Sequence, residues 1–205
     1  MNFFQAIILG IVQALTEYLP VSSSAHIRII GDLMLGADPG AAFTAIIQIG
    51  TELAVILYFR RDIINILSHW FGCLFGKNGP DWRARMGRGD KYATLGWNVI
   101  VGSIPIIILG FTLQNIIETS LRNLWITVTV LFLFGLLLWI VDARSRQIKT
   151  MDDMNYRDAF LFGLGQSMAL IPGVSRSGGT ITVGRALGYT CLLYTSPSPR
   201  DYAAS

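Results

Sequence analysis

Gln13-Ala14-Leu15-Thr16-Glu17-Tyr18-Leu19-Pro20-Val21-Ser22-Ser23-Ser24-Ala25-His26 closes an apolar run that begins near the N-terminus. A second polar string, Pro172-Gly173-Val174-Ser175-Arg176-Ser177-Gly178-Gly179-Thr180, closes another apolar run far downstream. Around them the chain is 52% hydrophobic and 14% charged, with mean hydropathy +0.51, whereas soluble domains carry about 25% charged residues. The composition is that of an integral membrane protein. Ionisable groups at membrane depth are costly and mark a functional site by default. The formal charge is only +3 and its basic residues gather in loops, which argues against nucleic acid as a partner. Cys73 and Cys191 give neither a disulfide framework nor a zinc pattern.

A spanning helix needs roughly 20 apolar residues. Segments 41–59, 95–113 and 122–142 qualify. Residues 63–75 are too short to span and suit an interfacial helix with Trp70 at the headgroups and His69 snorkelling beside it. Segments 3–19 and 158–174 meet Pro20 and Pro172-Gly173 and break, so each reads as a re-entrant hairpin whose irregular backbone is buried or lines a wet cavity.

The two broken segments resemble each other. A shift of 153 residues brings Ala6 onto Ala159, Gly10 onto Gly163, Gln13 onto Gln166, Val21 onto Val174, Ser22 onto Ser175 and Ser24 onto Ser177. Paired, interrupted segments in two halves point to a site at the repeat interface near the midplane. The loops 60–91 and 143–157 are both basic, through Lys77, Arg83, Arg85, Arg88 and Lys91 in one and Arg144, Arg146, Lys149 and Arg157 in the other. The positive-inside rule puts both in the cytoplasm, with 31–40 and 114–121 outside. The hairpins then enter from opposite faces, as an inverted repeat requires. The expected fold is all-α: a polytopic membrane protein with inverted-topology repeats and two re-entrant helical hairpins.

Gln13 and Glu17 are four apart and share a helix face. A carboxylate beside an amide suits a hard divalent cation, and the competing reading is a helix-packing glutamate. A serine becomes a nucleophile only beside a base. His26 is a candidate base for Ser23, or a nucleophile itself, or an interfacial histidine. Arg176 binds phosphate oxygens bidentately. Ser175, Ser177, Gly178 and Thr180 extend that anion signal, with glycine backbone N–H groups exposed and a helix N-terminus expected from Thr180 onward. Gln48 and Glu52 share a face of 41–59 and point at the same cavity, with packing against the first hairpin the alternative for Gln48.

At these residues the chain resembles the undecaprenyl-diphosphate phosphatase family, also called the bacitracin-resistance family. That family carries a [Glu/Gln]-x-x-x-Glu pair, then Pro-x-Ser-Ser-x-x-His, then Pro-Gly-x-Ser-Arg-Ser-x-x-Thr, all present here over about 1–190. The resemblance implies removal of the terminal phosphate from undecaprenyl diphosphate, recycling the lipid carrier of peptidoglycan synthesis and conferring bacitracin resistance. It implies Mg²⁺ or Ca²⁺ as cofactor, held by Glu17 with Gln13 assisting. Glu17, His26, Ser23 and Arg176 become the expected catalytic set, Arg176 with Ser175, Ser177, Gly178 and Thr180 the phosphate clamp, and Gln48 and Glu52 the supporting pair. The site would face the outer side of the bacterial cytoplasmic membrane. Partners are the lipid diphosphate and membrane lipids, with a second copy of the chain left open. Gln13 stands where many members carry Glu, and Ala25 replaces a usual glycine. A polyprenyl-phosphate transporter or flippase using the same midplane site is the competing function, because inverted repeats with broken helices are transporter architecture. Residues 1–190 are read as an incomplete membrane phosphatase domain whose family continues through further helices. Residues 191–205 match a reading frame of a common sequencing adapter and are read as a translated artefact.

Overall fold

In a computed structural model of the chain, residues 1–119 and 124–190 are described. The 191–205 tail and most of the expected outer turn around 114–121 lie outside that description or have no side chains described. The helices are α1 (Phe3–Glu17), α2 (Ser23–Leu35), α3 (Ala41–Tyr58), α4 (Arg60–Leu74), a single turn α5 (Trp82–Arg85), α6 (Lys91–Thr119), α7 (Leu124–Arg144), α8 (Tyr156–Ser167) and α9 (Arg176–Ala186). The described residues form no strand beyond one bridge pair, Lys149 with Tyr189.

The repeat is written into the helix boundaries. α1 and α8 start 153 residues apart, and so do α2 and α9. Their caps keep the same register. Asn2 accepts from the Gln5 N–H at 2.9 Å, and Asn155 accepts from the Asp158 N–H at 2.9 Å. Ser22 and Ser175 occupy the N-cap positions of α2 and α9. Only Ser175 caps with its side chain, accepting from the Gly178 N–H at 3.2 Å, whereas the Ser22 hydroxyl makes no cap hydrogen bond.

Each α-helix pair turns back on itself. The Gln5 amide donates to the Met34 carbonyl at 3.3 Å, joining the start of α1 to the end of α2. In the second pair, Thr190 N–H donates to the Lys149 carbonyl at 3.0 Å and the Ser145 hydroxyl to the Arg185 carbonyl at 2.6 Å. The end of α9 therefore returns to the level from which α8 departs. Both are re-entrant hairpins rather than spans.

Between them run α3, α6 and α7. Apolar windows long enough to cross a membrane cover Lys91–Leu113 and Trp125–Arg144. α3 has 18 residues, about 27 Å of helix. It breaks at Phe59, where α4 leaves at 72°. The Arg60 guanidinium donates to the Leu57 carbonyl at 2.8 Å and satisfies a backbone group freed by that break. The bend places the amphipathic α4 off the α3 axis, as the interfacial reading expects. With the bent α3–α4 pair counted as one span the crossings number up to three, and that odd number would bring the hairpins in from opposite faces.

The two basic loops lie together. Tyr156 donates its hydroxyl to the Met86 carbonyl at 3.1 Å, and Lys91 pairs with Asp152. That agrees with the charge rule by an independent route. His69 departs from its expected role: its Nδ1 meets Asp90 Oδ2 at 2.8 Å. Asp90 Oδ1 also accepts from the Ala93 N–H at 3.0 Å and so caps α6. Burial pulls the Asp90 carboxyl upward, but its hydrogen bonds from His69 and Ala93 outweigh this and leave it below the ordinary carboxylate value.

Glycines set the approach of the second hairpin. A Cβ on Gly163 would lie 2.1 Å from the Gly102 carbonyl oxygen, so α8 and α6 touch backbone to backbone. α6 continues through Pro105, which membrane helices accept when neighbours cover the freed carbonyl. At the base of the hairpin, Arg185 is only 1% exposed and meets Asp142 Oδ1 at 2.6 Å. Beside it, Tyr189 and Lys149 both donate to Asp158 Oδ2, at 2.7 and 2.9 Å. None of these groups is visible as a set in the sequence, because the partners lie up to 43 residues apart.

Candidate functional site

The tips of the hairpins meet. The Ser177 hydroxyl donates to the Leu19 carbonyl at 3.1 Å, across 158 residues of sequence. A Cβ on Gly178 would lie 3.6 Å from the Pro20 carbonyl oxygen. Within each tip the repeated serines pair, Ser22 with Ser24 at 3.2 Å and Ser175 with Ser177 at 2.9 Å. The tips differ at one backbone position. Ser22 has φ +63°, in the left-handed region, whereas its repeat partner Ser175 has φ −73°. A non-glycine residue there costs of order 1 kcal/mol or more, and such strain gathers at functional sites. The residue after the strained position is Ser23.

The Ser23 hydroxyl is turned to Glu17 rather than to His26. Its hydroxyl donates to Glu17 Oε2 at 2.5 Å, and the Gln13 amide donates to the same oxygen at 2.9 Å. His26 Nδ1 donates instead to the Ser22 carbonyl at 2.9 Å. A carbonyl only accepts, so the bond needs a proton on Nδ1, and in the neutral ring Nε2 is then the acceptor nitrogen. Gln13 is 1% exposed, and its Oε1 has no hydrogen-bond partner.

Arg176 opens α9 at the register that Ser23 holds in α2. Its Nη2 lies 3.7 Å from Glu17 Oε1 and its Nη1 3.7 Å from Glu52 Oε1. These are ion pairs too long to be hydrogen bonds, so the guanidinium fork is oriented but its donors are not committed. The Gln48 amide donates to Glu52 Oε1 at 3.2 Å. The Tyr18 hydroxyl donates to the Thr51 carbonyl at 2.7 Å and joins α1 to α3 beside Glu52. Glu17, Tyr18, Glu52, Gln166, Arg176 and Thr180 are among the residues lining a cleft of about 910 Å³.

The second tip departs from the expected clamp. α9 begins at Arg176, not after Thr180. Ser175 Oγ accepts from the Gly178 N–H at 3.2 Å, and the Gly179 N–H bonds the Ser175 carbonyl at 2.8 Å. Gly179 serves packing: a Cβ there would lie 2.2 Å from the Gly165 carbonyl oxygen. Thr180 Oγ1 bonds back to the Arg176 carbonyl at 2.9 Å. Ser175 and Gly178 thus shape the tip, while Arg176, Ser177 and Thr180 reach the cleft. Tyr18, Thr51 and Gln166 were not expected there. Gln166 carried a signal in the repeat match to Gln13, but the two others show none.

Among the described residues no three His, Cys, Asp or Glu side chains gather as a metal cage. The Glu17 carboxylate and the unpartnered Gln13 Oε1 are oxygen donors of the type that a hard cation takes.

Two re-entrant hairpins meeting at an arginine between carboxylates, set among apolar helices, make this an integral membrane protein with an arginine-bearing cleft. The Bacitracin resistance protein BacA family matches residues 6–191, and the chain belongs to that family. A Bifidobacterium longum subsp. infantis protein named undecaprenyl-diphosphatase is 90% identical over 190 residues, 93% of this chain and 65% of that protein. Proteins of the same name from Bifidobacterium adolescentis and Micrococcus luteus are 72% and 54% identical, each covering 93% of this chain and 65% and 66% of their own lengths. The chain thus spans about 65% of the length of the relatives it matches.

Proposed function

We propose that the protein hydrolyses the terminal phosphate of undecaprenyl diphosphate, the lipid named in its relatives' activity. The observation that carries the reading is the Ser23 hydroxyl donating to Glu17 at 2.5 Å, with Arg176 against the other oxygen of the same carboxylate. A candidate nucleophile then stands hydrogen-bonded to a carboxylate that lines the cleft together with the candidate anion clamp.

Arg176 engages the phosphate oxygens and stabilises charge developing on the transferred group. As Ser23 Oγ bonds to the terminal phosphorus, Glu17 takes the hydroxyl proton. The phosphoanhydride P–O bond breaks, and its electron pair leaves with undecaprenyl phosphate. Water then cleaves the phosphoserine, with His26 Nε2 available as base, and inorganic phosphate departs. Glu17 and Gln13 would hold the divalent cation, Mg²⁺ or Ca²⁺, which supplies charge neutralisation of the diphosphate. The basic loops on one side support a cytoplasmic-membrane orientation in which the first hairpin, carrying Glu17 and Ser23, enters from the outer side.

The test is phosphate release from the lipid diphosphate by full-length protein in detergent, with acid quenching of a labelled substrate. Acid-stable label on serine supports the reading. Acid-labile label on histidine would transfer the nucleophile to His26. A protein that binds the lipid yet releases no phosphate would be a transporter, and the proposal would fall.

A further inference from the structure

The two hairpins carry the same amide and use it differently. Gln13 of α1 and Gln166 of α8 share one register of the repeat. The Gln13 amide is buried and donates to Glu17, four residues on, at 2.9 Å. Four residues after Gln166 stands Leu170, not a carboxylate. Leu170 packs toward α6, where a Cβ on Gly110 would lie 3.8 Å from its Cδ2. Gln166 therefore lacks the intrahelical partner that its counterpart holds. Among the described residues its side chain makes no hydrogen bond, and the residue is half-buried rather than buried.

Water serves many half-buried amides, but this one has a fixed place in the cleft. α8 and α9 touch backbone to backbone: a Cβ on Gly165 would lie 2.7 Å from the Gly179 carbonyl oxygen, and one on Gly179 would lie 2.2 Å from that of Gly165. Gln166 follows one of these glycines and Thr180 the other, so the contact holds both at the same junction. Thr180 bonds back to the Arg176 carbonyl one turn earlier, at 2.9 Å. Gln166, Arg176 and Thr180 all line the cleft. The charged residues lining it are Glu17, Glu52 and Arg176, one cation against two carboxylates. A wall so short of positive charge needs neutral N–H donors to hold a diphosphate, and a primary amide offers two. Resting on the phosphatase reading above, we infer that Gln166 is a substrate-binding residue whose amide N–H donates to a phosphate oxygen of the lipid diphosphate, alongside the Arg176 guanidinium. The second hairpin then faces the anion with uncharged and cationic donors, while the first contributes the carboxylate and the serine.

The test uses full-length protein in detergent and reads binding and release separately. Gln166→Met keeps the side-chain length and removes its hydrogen-bonding groups. It is expected to raise KM for the lipid diphosphate about tenfold, the scale of a hydrogen bond to a charged acceptor, with kcat within about threefold of wild type. The Ki of pyrophosphate, a probe without the lipid tail, should rise by the same factor. Gln166→Glu keeps the shape and replaces the donor with an anion. Relative to wild type, it should bind pyrophosphate more weakly than Gln166→Met at about pH 8 and recover at about pH 5 as the new carboxyl takes up a proton. Melting without ligand is the folding control. A pyrophosphate Ki for Gln166→Met within about twofold of wild type overturns the inference, and a lowered Tm or kcat with that Ki unchanged assigns Gln166 to packing instead. Should Gln166→Met fold poorly, the pH series of Gln166→Glu decides, and a flat ratio to wild type overturns the inference. The phosphatase reading fails separately, if the wild type binds pyrophosphate yet releases no phosphate from the lipid; the Gln166 contact then stands on pyrophosphate binding alone.

Discussion

Replacing Arg176 tests the anion clamp most directly. A bidentate arginine–phosphate contact offers two charge-assisted hydrogen bonds worth about 1.5–3 kcal/mol each. Against this, the substrate must displace the guanidinium from Glu17 and Glu52, both at 3.7 Å. Coulomb's law at an effective dielectric of 20 would give about 4 kcal/mol per pair at that separation. Arg176 is 47% exposed and Glu52 55%, so screening reduces each pair to about 1 kcal/mol. The difference is about 1–4 kcal/mol. Arg176→Ala should therefore lower kcat/KM by about fivefold to about a thousandfold. Arg176→Lys keeps the charge and loses the fork, since one ammonium cannot face both carboxylates and a phosphate edge. Its loss should be about one charge-assisted bond, roughly tenfold or somewhat more. The assay is colorimetric phosphate release from the lipid diphosphate in detergent at saturating cation. A rate for Arg176→Ala within twofold of wild type, or a lysine variant weaker than the alanine one, would refute the reasoning.

Further outcomes follow from the same contacts. Ser23→Ala should abolish acid-stable phosphoprotein and lower phosphate release at least about a hundredfold, because Glu17 then has no hydroxyl to activate; a retained phosphoserine would assign the attack to another serine. Gly163→Ala should destabilise by about 1–3 kcal/mol, read as a lowered Tm, since its Cβ would lie 2.1 Å from the Gly102 carbonyl. Its repeat partner Gly10 has nothing within 4 Å of a built Cβ, so Gly10→Ala should be neutral or slightly stabilising. The folded pKa of Asp90 is depressed, so its stabilisation is full above the unfolded carboxylate pKa of about 3.9 and is lost as pH falls through the folded value. Melting of wild type and Asp90→Asn between pH 3 and 6 should diverge as pH rises, and a pH-independent gap would contradict the capping role.

The sequence was sufficient where a signal is local. Membrane class follows from composition, because lipid solvates apolar surface and rejects charge. The repeat follows from residues spaced by a constant shift, and the helix caps of Asn2 and Asn155 repeat it in structure. The pairing of Gln13 with Glu17 follows from helical periodicity alone. The meaning of the second string was less legible. Gly178 and Gly179 looked like a phosphate-cradling turn, yet both lie inside α9, where the latter lets Gly165 approach. A glycine can admit a ligand or another backbone, and local sequence does not distinguish the two.

What the chain settles by itself is therefore which elements form, which face of each is polar and that its helices belong in a membrane. Only the tertiary structure decided partners. It gave Ser23 to Glu17 rather than His26, set Arg176 between Glu17 and Glu52, and buried Arg185 against Asp142. The physical reason is range. Hydropathy and capping act over a few residues and can be read along the chain. An ion pair between residues 43 or 124 positions apart exists only once the intervening helices have carried its members to the same place.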